Sequence, residues 1–464
     1  MRMSSNLLLP RLLLLIAAWL GAAASVAQET ADESTYILVA ERRLPYLYGI
    51  SLADALNPAN NNTSNAIVSR SKVALDQLDG RPLGDPANLI LSEDGDTLYI
   101  VNHHGAIDNE EFRQHGGRGQ IAVLDVAAVL DPVNDQTANA LLRHMDSGGF
   151  GAIGVALLPD MLVISNAENN LTEDGGNRVT FVDRNTGSLR GMVELALGSP
   201  GFECDYPVPY ESPFGPPRNL AVLAPDASWG CFPDPNGLAI GKASNGVRYV
   251  FTANGGTNDV SVIDLERALI GDRNAEMHRI PNVFAPWGMT VTPDGRYIIV
   301  ASGGSQKDVS EGNSISIIDV VSAAVGDDAV VANLLVGTSS PDEATYPLIL
   351  SVTPDGREII VPNLLADNVS IVNLDMAIAG DPGAEVARIP LTRDDGRSAR
   401  PKGSTVSADG RYALISGGPG VLPYAQALGY IYVIDLASRE VIGTVTGVGN
   451  DPYGLTTVTR SIAR

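Results

Sequence analysis

Lysine is nearly missing from this chain: Lys72, Lys242, Lys307 and Lys402 are its only four. All basic residues together number 31 against 54 acidic ones, giving a formal charge of −23. That balance argues against nucleic acid and anionic membrane surfaces as partners, because both repel an acidic surface. Aromatic residues are also sparse, at 5%, yet 44% of the chain is hydrophobic and wholesale disorder is excluded. Long apolar runs are lacking as well. The N-terminal run Leu12–Ala24 has thirteen residues, short of the ~20 needed to span a bilayer. Arg2 and Arg11 precede it, and Ser25-Val26-Ala27 follows with small residues at both recognition positions. Residues 1–27 therefore read as a signal peptide cleaved after Ala27. The expected mature chain starts near Gln28, has no transmembrane segment, and is periplasmic or secreted.

Several chemical signatures are missing. There is no Cys-x-x-Cys-His, so covalent c-type haem is excluded. There is no Gly-x-Ser-x-Gly elbow and no His-Glu-x-x-His zinc motif. Gly149-Phe150-Gly151-Ala152-Ile153-Gly154 matches Gly-x-Gly-x-x-Gly by letters. It opens a strand and no helix follows, so dinucleotide binding is not expected there. Cys204 and Cys231 are the only cysteines. In an exported chain they are expected to form a disulfide; the alternative is two unpaired thiols. Closing that loop would stabilise the fold by about 3 kcal/mol in the chain-entropy view.

What the chain does have is turns, with 48 Gly and 29 Pro. They punctuate a repeat. One unit runs Pro286-Trp287-Gly288-Met289-Thr290-Val291, then Thr292-Pro293-Asp294-Gly295, then Arg296-Tyr297-Ile298-Ile299-Val300, and later Ser314-Ile315-Ser316-Ile317-Ile318-Asp319. A strand, a Pro-Asp-Gly turn, a second strand, a loop and a third strand follow directly. Related units carry Pro354-Asp355-Gly356 and Ala408-Asp409-Gly410. The mark ending the third strand recurs at Asp125, Asp183, Asp264, Asp319, Asn373 and Asp435, at intervals of 58, 81, 55, 54 and 62 residues. The long interval holds the cysteine segment, so residues 199–235 are an insertion in a regular array. Short alternating strands cannot bury both faces alone, whereas four-stranded blades stacked radially can. Six units are complete, beginning near Pro82, Gly149, Pro235, Pro286, Tyr346 and Arg400. A seventh is split: Asp451–Val458 supplies a first strand, and Thr35–Ala40 with Leu47–Leu52 supply the second and third. The expectation is all-β: one domain over residues 28–464, a seven-bladed β-propeller closed by N- and C-terminal strands sharing one blade. Five units carry a longer tail after the third strand, at Leu52, Val126, Leu265, Val320 and Leu374, which reads as a one-turn helix before the outermost strand.

The Pro-x-Gly, Pro-Asp-Gly-Arg and Val-Ser-Val-Ile-Asp pattern resembles the YVTN-type propeller repeat. That repeat is similar to surface-layer propellers, exported proteins of the YncE kind and the heavy-chain propeller of quinoprotein amine dehydrogenases. The resemblance covers almost all of the mature chain and implies the fold. It leaves function open, because propellers host unrelated activities.

Strand direction sorts the loops. The long connections Asn102–Gln120, Asn166–Arg178, Ser302–Asn313 and Gly417–Gly429 share one face with the blade-to-blade links and the cysteine insertion. That face is the candidate for binding a small molecule or a protein. At its centre, the residue after each strand-opening proline is Ala87, Asn236, Trp287, Lys402 or Tyr453, with Leu348 and Ile153 by looser alignment. Asp85, Asp234, Arg400 and Asp451 precede the prolines. The expected binding residues are Asn236, Trp287, Arg400, Lys402, Tyr453 and Asp451, with Lys402 and Asp234 the candidates for any catalysis; packing of the channel is the plainer alternative. His103, His104 and His115 cluster near Asp108, Glu110 and Glu111 but match no metal spacing, so no resident metal is expected there. Acidic loops leave Ca binding open, and no cofactor is expected. The leading reading is a monomeric binding or scaffold propeller. The alternatives are a lactonase-like hydrolase at the axial mouth and an accessory subunit of a periplasmic redox enzyme.

Overall fold

The structure, a computed structural model, describes residues 34–460 apart from 43–45, 74–76, 79–80, 83–85, 104–117, 132–139, 168, 171–173, 197, 199–208, 211–219, 222–232, 304–311 and 419–428. Seven four-stranded antiparallel sheets form a ring. The chain is a seven-bladed β-propeller.

The innermost strands of blades 2 to 7 are Pro86–Leu91, Ala152–Leu157, Pro235–Lys242, Pro286–Val291, Ser351–Val352 and Pro401–Val406. Blade 1 is shared between the chain ends. Its innermost strand is Pro452–Arg460, and Ser34–Glu41, Tyr46–Ser51 and Ile67–Lys72 complete it outwards. Tyr36 pairs with Val458 and Leu38 with Thr456. The split seventh unit thus closes the ring as three N-terminal strands and one C-terminal strand. The letters Gly149–Gly154 straddle a blade junction: Gly149 and Phe150 end the outermost strand of blade 2, and Ala152 opens blade 3.

The middle strands of each blade must be apolar on both faces, since each blade lies between two others. Ile298 and Val300 join the core shared with blade 4. Their neighbours Ile299 and Ala301 join the core shared with blade 6. Period-two alternation therefore feeds two interfaces from one strand. Seven such clusters, one per blade pair, carry the apolar burial.

Local signals explain the turns. Gly295 sits at φ 78°, a conformation that is cheap only for glycine. The Asp294 carboxylate accepts the Arg296 amide at 3.0 Å, and the Thr292 hydroxyl accepts the Tyr297 amide at 3.0 Å. The turns at Ser92, Thr353 and Ser407 repeat this arrangement.

The five expected helical turns are present: α1 Leu52–Ala55, α2 Val126–Leu130, α3 Leu265–Leu269, α4 Val320–Val325 and α5 Leu374–Ile378. The residue ending each third strand is the N-cap. Asp319, for example, accepts the Ser322 amide at 2.9 Å. Each helix packs on the outermost strand of the preceding blade, α4 on Glu276–Pro281 and α5 on Val330–Leu335. The helices are clips between blades. Asp319→Ala removes one cap, and we expect a loss of about 1 kcal/mol of stability, read as a lower denaturant midpoint at unchanged slope. Among the described residues, no helix is long and apolar enough to cross a membrane.

Candidate functional site

The register of the inner strands defines equivalent positions around the axis. In six blades the strand-opening residue pairs with the last residue of the second strand, and in blade 6 Pro347, ahead of its strand, makes the same pairing through an isolated bridge. Pro86 faces Asn102, Ala152 faces Asn166, Pro235 faces Asn254 and Pro286 faces Ser302. Pro347 faces Asn363, Pro401 faces Gly417 and Pro452 faces Glu41. Ile153 and Leu348 therefore stand in the same register as Ala87, Asn236, Trp287, Lys402 and Tyr453. The long loops leave from those facing residues, so this end of the channel opens on the long-loop face.

Two positions after the opening residue stands glycine in five blades: Gly154, Gly237, Gly288, Gly403 and Gly454. A Cβ on Gly237 would lie 2.5 Å from the Trp287 carbonyl oxygen, and one on Gly454 would lie 2.6 Å from that of Ala87. The Pro-x-Gly signature is thus a close approach between neighbouring inner strands. Blade 2 has Asn88 instead, whose amide donates to the Ile153 carbonyl at 2.8 Å. Blade 6 has Ile349, whose backbone amide donates to the Lys402 carbonyl at 3.0 Å.

These approaches leave the residue after the opening proline at the axis. Trp287 of blade 5 donates its indole N–H to the Tyr453 hydroxyl of blade 1 at 2.8 Å, reaching across the channel. Deeper along the axis lies a cavity of about 110 Å³, with Trp287, Ile153, Asn88 and Gly288 in its wall. The Arg42 guanidinium stacks on the Tyr453 ring, 4.9 Å from its centroid.

Lys402 and Asp451, on neighbouring blades, form a buried ion pair, with side chains 4% and 3% exposed. The Asp451 amide donates to Glu41 Oε1 at 2.9 Å, and the Arg42 amide donates to the Asp451 carbonyl at 3.0 Å. Glu41 is itself fully buried. Lys402 is thus paired with Asp451. Asp234, the other residue considered for catalysis, belongs to blade 4, on the far side of the ring from blade 7. Its backbone carbonyl accepts the Asn236 side-chain amide at 3.0 Å.

The residues before the opening prolines have an unusual backbone. Asp234, Ala285, Tyr346 and Arg400 have φ of 48°, 34°, 53° and 45°. Proline disfavours the helical region for the residue before it, and a side chain makes positive φ uncommon. Four blades repeat this strained conformation at one level of the mouth. Burial pushes the Tyr346 phenol pKa up; Arg42 opposes the shift and Asp234 adds to it. Tyr346 therefore lies within the field of both charges.

Glu41, Arg42 and Tyr346 belong to the site but were not among the residues expected from sequence. A signal existed for the first: aligning the second strands places Glu41 with Asn102, Asn166 and Asn254. Tyr346 precedes a proline as Asp234 and Arg400 do, but its strand begins only at Ser351. Asp85, His104, His115, Cys204 and Cys231 lie outside the described residues. His103 is buried directly after the second strand of blade 2. Among the described residues, no three His, Cys, Asp or Glu side chains gather as a metal site.

No protein-family profile and no curated protein matches the chain. Solved structures do. The periplasmic gluconolactonase of Pseudomonas aeruginosa is 14% identical with a TM-score of 0.55, over 92% of this chain and 99% of that one. A candidate 6-phosphogluconolactonase from Bacteroides uniformis is 13% identical with a TM-score of 0.56, over 92% and 100%. A hypothetical selenium-binding protein from Sulfolobus tokodaii is 10% identical with a TM-score of 0.57, over 93% and 95%. At these identities the likeness is one of fold.

Proposed function

We propose that this chain is an exported propeller that binds a small polar molecule at its axial mouth on the long-loop face. The observation that carries this reading is the buried Lys402–Asp451 pair beside Glu41. Desolvating two charges often costs as much as their attraction returns, so stability alone is a poor reason to keep them in a channel mouth. Charged groups buried in a cleft are instead a mark of functional sites. Trp287 and Tyr453 form an amphipathic floor, and Asn236, Asp234 and Arg400 supply donors and acceptors around it, as small-molecule sites require. The reading is tested by thermal shift with sugars, sugar acids and amino acids. A ligand at one hundred times its Kd stabilises the native state by about 2.7 kcal/mol. The expected result is a compound that stabilises the wild type and not Trp287→Ala. Stabilisation that survives Trp287→Ala, or none at all, overturns the site.

The gluconolactonase among the solved structures favours a second reading, lactone hydrolysis at the same mouth. Asp451 would take a proton from the attacking water, and Lys402 would stabilise the oxyanion. This reading expects glucono-δ-lactone to open faster with the protein than alone, and Lys402→Met to abolish the difference. Equal rates with and without protein would sink it.

A further inference from the structure

A chamber of different chemistry lies behind the mouth. Three positions after the strand-opening residue, blades 2 to 5 carry Leu89, Val155, Leu238 and Met289. All four stand in the wall of the axial cavity of about 110 Å³, together with Ile349 of blade 6. At about 3.3 Å per residue along a strand, they lie roughly 10 Å further in than the positions of Asp234, Arg400 and Asp451 before the opening prolines.

No residue of this wall is titratable, and only Asn88 and Trp287 carry nitrogen or oxygen in their side chains. The Asn88 amide donates to the Ile153 carbonyl at 2.8 Å, and the Trp287 indole N–H donates to the Tyr453 hydroxyl at 2.8 Å. Gly154, Gly237 and Gly288 bring backbone without side chains into the same wall.

That composition selects an occupant. An ion moved there leaves water without gaining an opposite charge from the wall, and burying an unpaired charge is costly. Alkyl groups gain by leaving water for the four aliphatic side chains. A hydroxyl can both donate and accept, so it suits an amide side chain or a peptide group. At about 30 Å³ for each water-sized group, the cavity has room for about four of them.

We propose that the axial cavity is a binding site in its own right, for an uncharged molecule of about four non-hydrogen atoms with an alkyl part and one hydroxyl-type group. It lies beyond the polar mouth and takes a different chemistry, so neither reading depends on the other.

The probes are methanol, ethanol, 1-propanol, propionate and propylammonium. Binding is followed by calorimetry and by Trp287 emission in a chain carrying Trp19→Phe and Trp229→Phe, which leaves Trp287 as the only tryptophan. The expected result is saturable binding of 1-propanol, with affinity rising about fourfold for each methylene added from methanol. Propionate and propylammonium should bind roughly tenfold more weakly than 1-propanol, or worse. Val155→Phe fills the cavity and should weaken 1-propanol binding by roughly tenfold. If Val155→Phe fails to fold, Val155→Leu makes the same comparison with a loss of about threefold. No saturable response to 1-propanol means that water alone occupies the cavity, and it overturns the inference. Ions that bind as tightly as 1-propanol, or undiminished 1-propanol binding in a folded Val155 variant, overturn it equally. The thermal-shift screen judges the mouth separately in every case.

Discussion

Asp451→Ala is expected to lower the stability of the ring by about 3–5 kcal/mol. The substitution takes the paired carboxylate away from the Lys402 ammonium, whose side chain is 4% exposed, in a place water barely reaches. The backbone contact from the Asp451 amide to Glu41 survives, so the loss reports the ion pair and not the strand end. Lys402→Met combined with Asp451→Leu should recover most of it, because a buried pair replaced by apolar groups of similar volume is often neutral. The two single variants and the double variant form a cycle that isolates the coupling. Urea midpoints measure it. A single-variant loss below about 1 kcal/mol would mean that the pair behaves as an exposed one. Stability and ligand binding then part company: the double variant should fold well and bind nothing at the mouth.

Gly288→Ala is expected to cost about 2–3 kcal/mol, at the upper end for overpacking by one methyl group. The new Cβ would run into the Leu348 carbonyl oxygen of the next blade. That carbonyl belongs to backbone, and the Leu348 amide is tied to the Pro362 carbonyl at 3.2 Å, so the obstacle cannot swing aside as a side chain would. Gly383→Ala is the matched control. Its Cβ would meet only the Asp381 carboxylate at 3.3 Å and the Met376 methyl at 3.7 Å, so its effect should stay within about 0.5 kcal/mol. Thermal denaturation of both proteins checks the contrast. Equal losses at the two positions would remove the explanation given for the Pro-x-Gly signature.

The fold was readable because its rules are local and repeated. Pro-Asp-Gly demands a turn with a left-handed residue, and Asp or Asn at the end of a third strand demands a cap. Val, Ile and Leu on both faces of a strand demand a blade on either side. Counting these marks yields six complete units, and the split seventh blade follows from strands left over at the two ends. The mouth was readable only in part. Trp287, Lys402 and Tyr453 stand beside a proline that announces the register. Who touches whom was not readable in the same way: Lys402 meets Asp451 because blade 7 abuts blade 1, and Trp287 meets Tyr453 across the axis. Arg42 carries no motif; it acquires its role because Ser34–Glu41 ends beside Pro452. The strain at Asp234, Tyr346 and Arg400 had no sequence signal beyond the proline that follows each.

The shared blade has a consequence for the order in which the molecule can be finished. Glu41 and Asp451, whose contact closes the ring, are 410 residues apart. Until Pro452–Arg460 arrives, Ser34–Glu41 lacks its inner neighbour, and its unpaired amides and carbonyls are an open template for pairing with other chains. The same delay leaves Lys402 without Asp451 and Trp287 without Tyr453. A nascent or truncated chain is thus marked as unfinished by a sticky edge and an unmatched cation at once, and a single late strand cancels both.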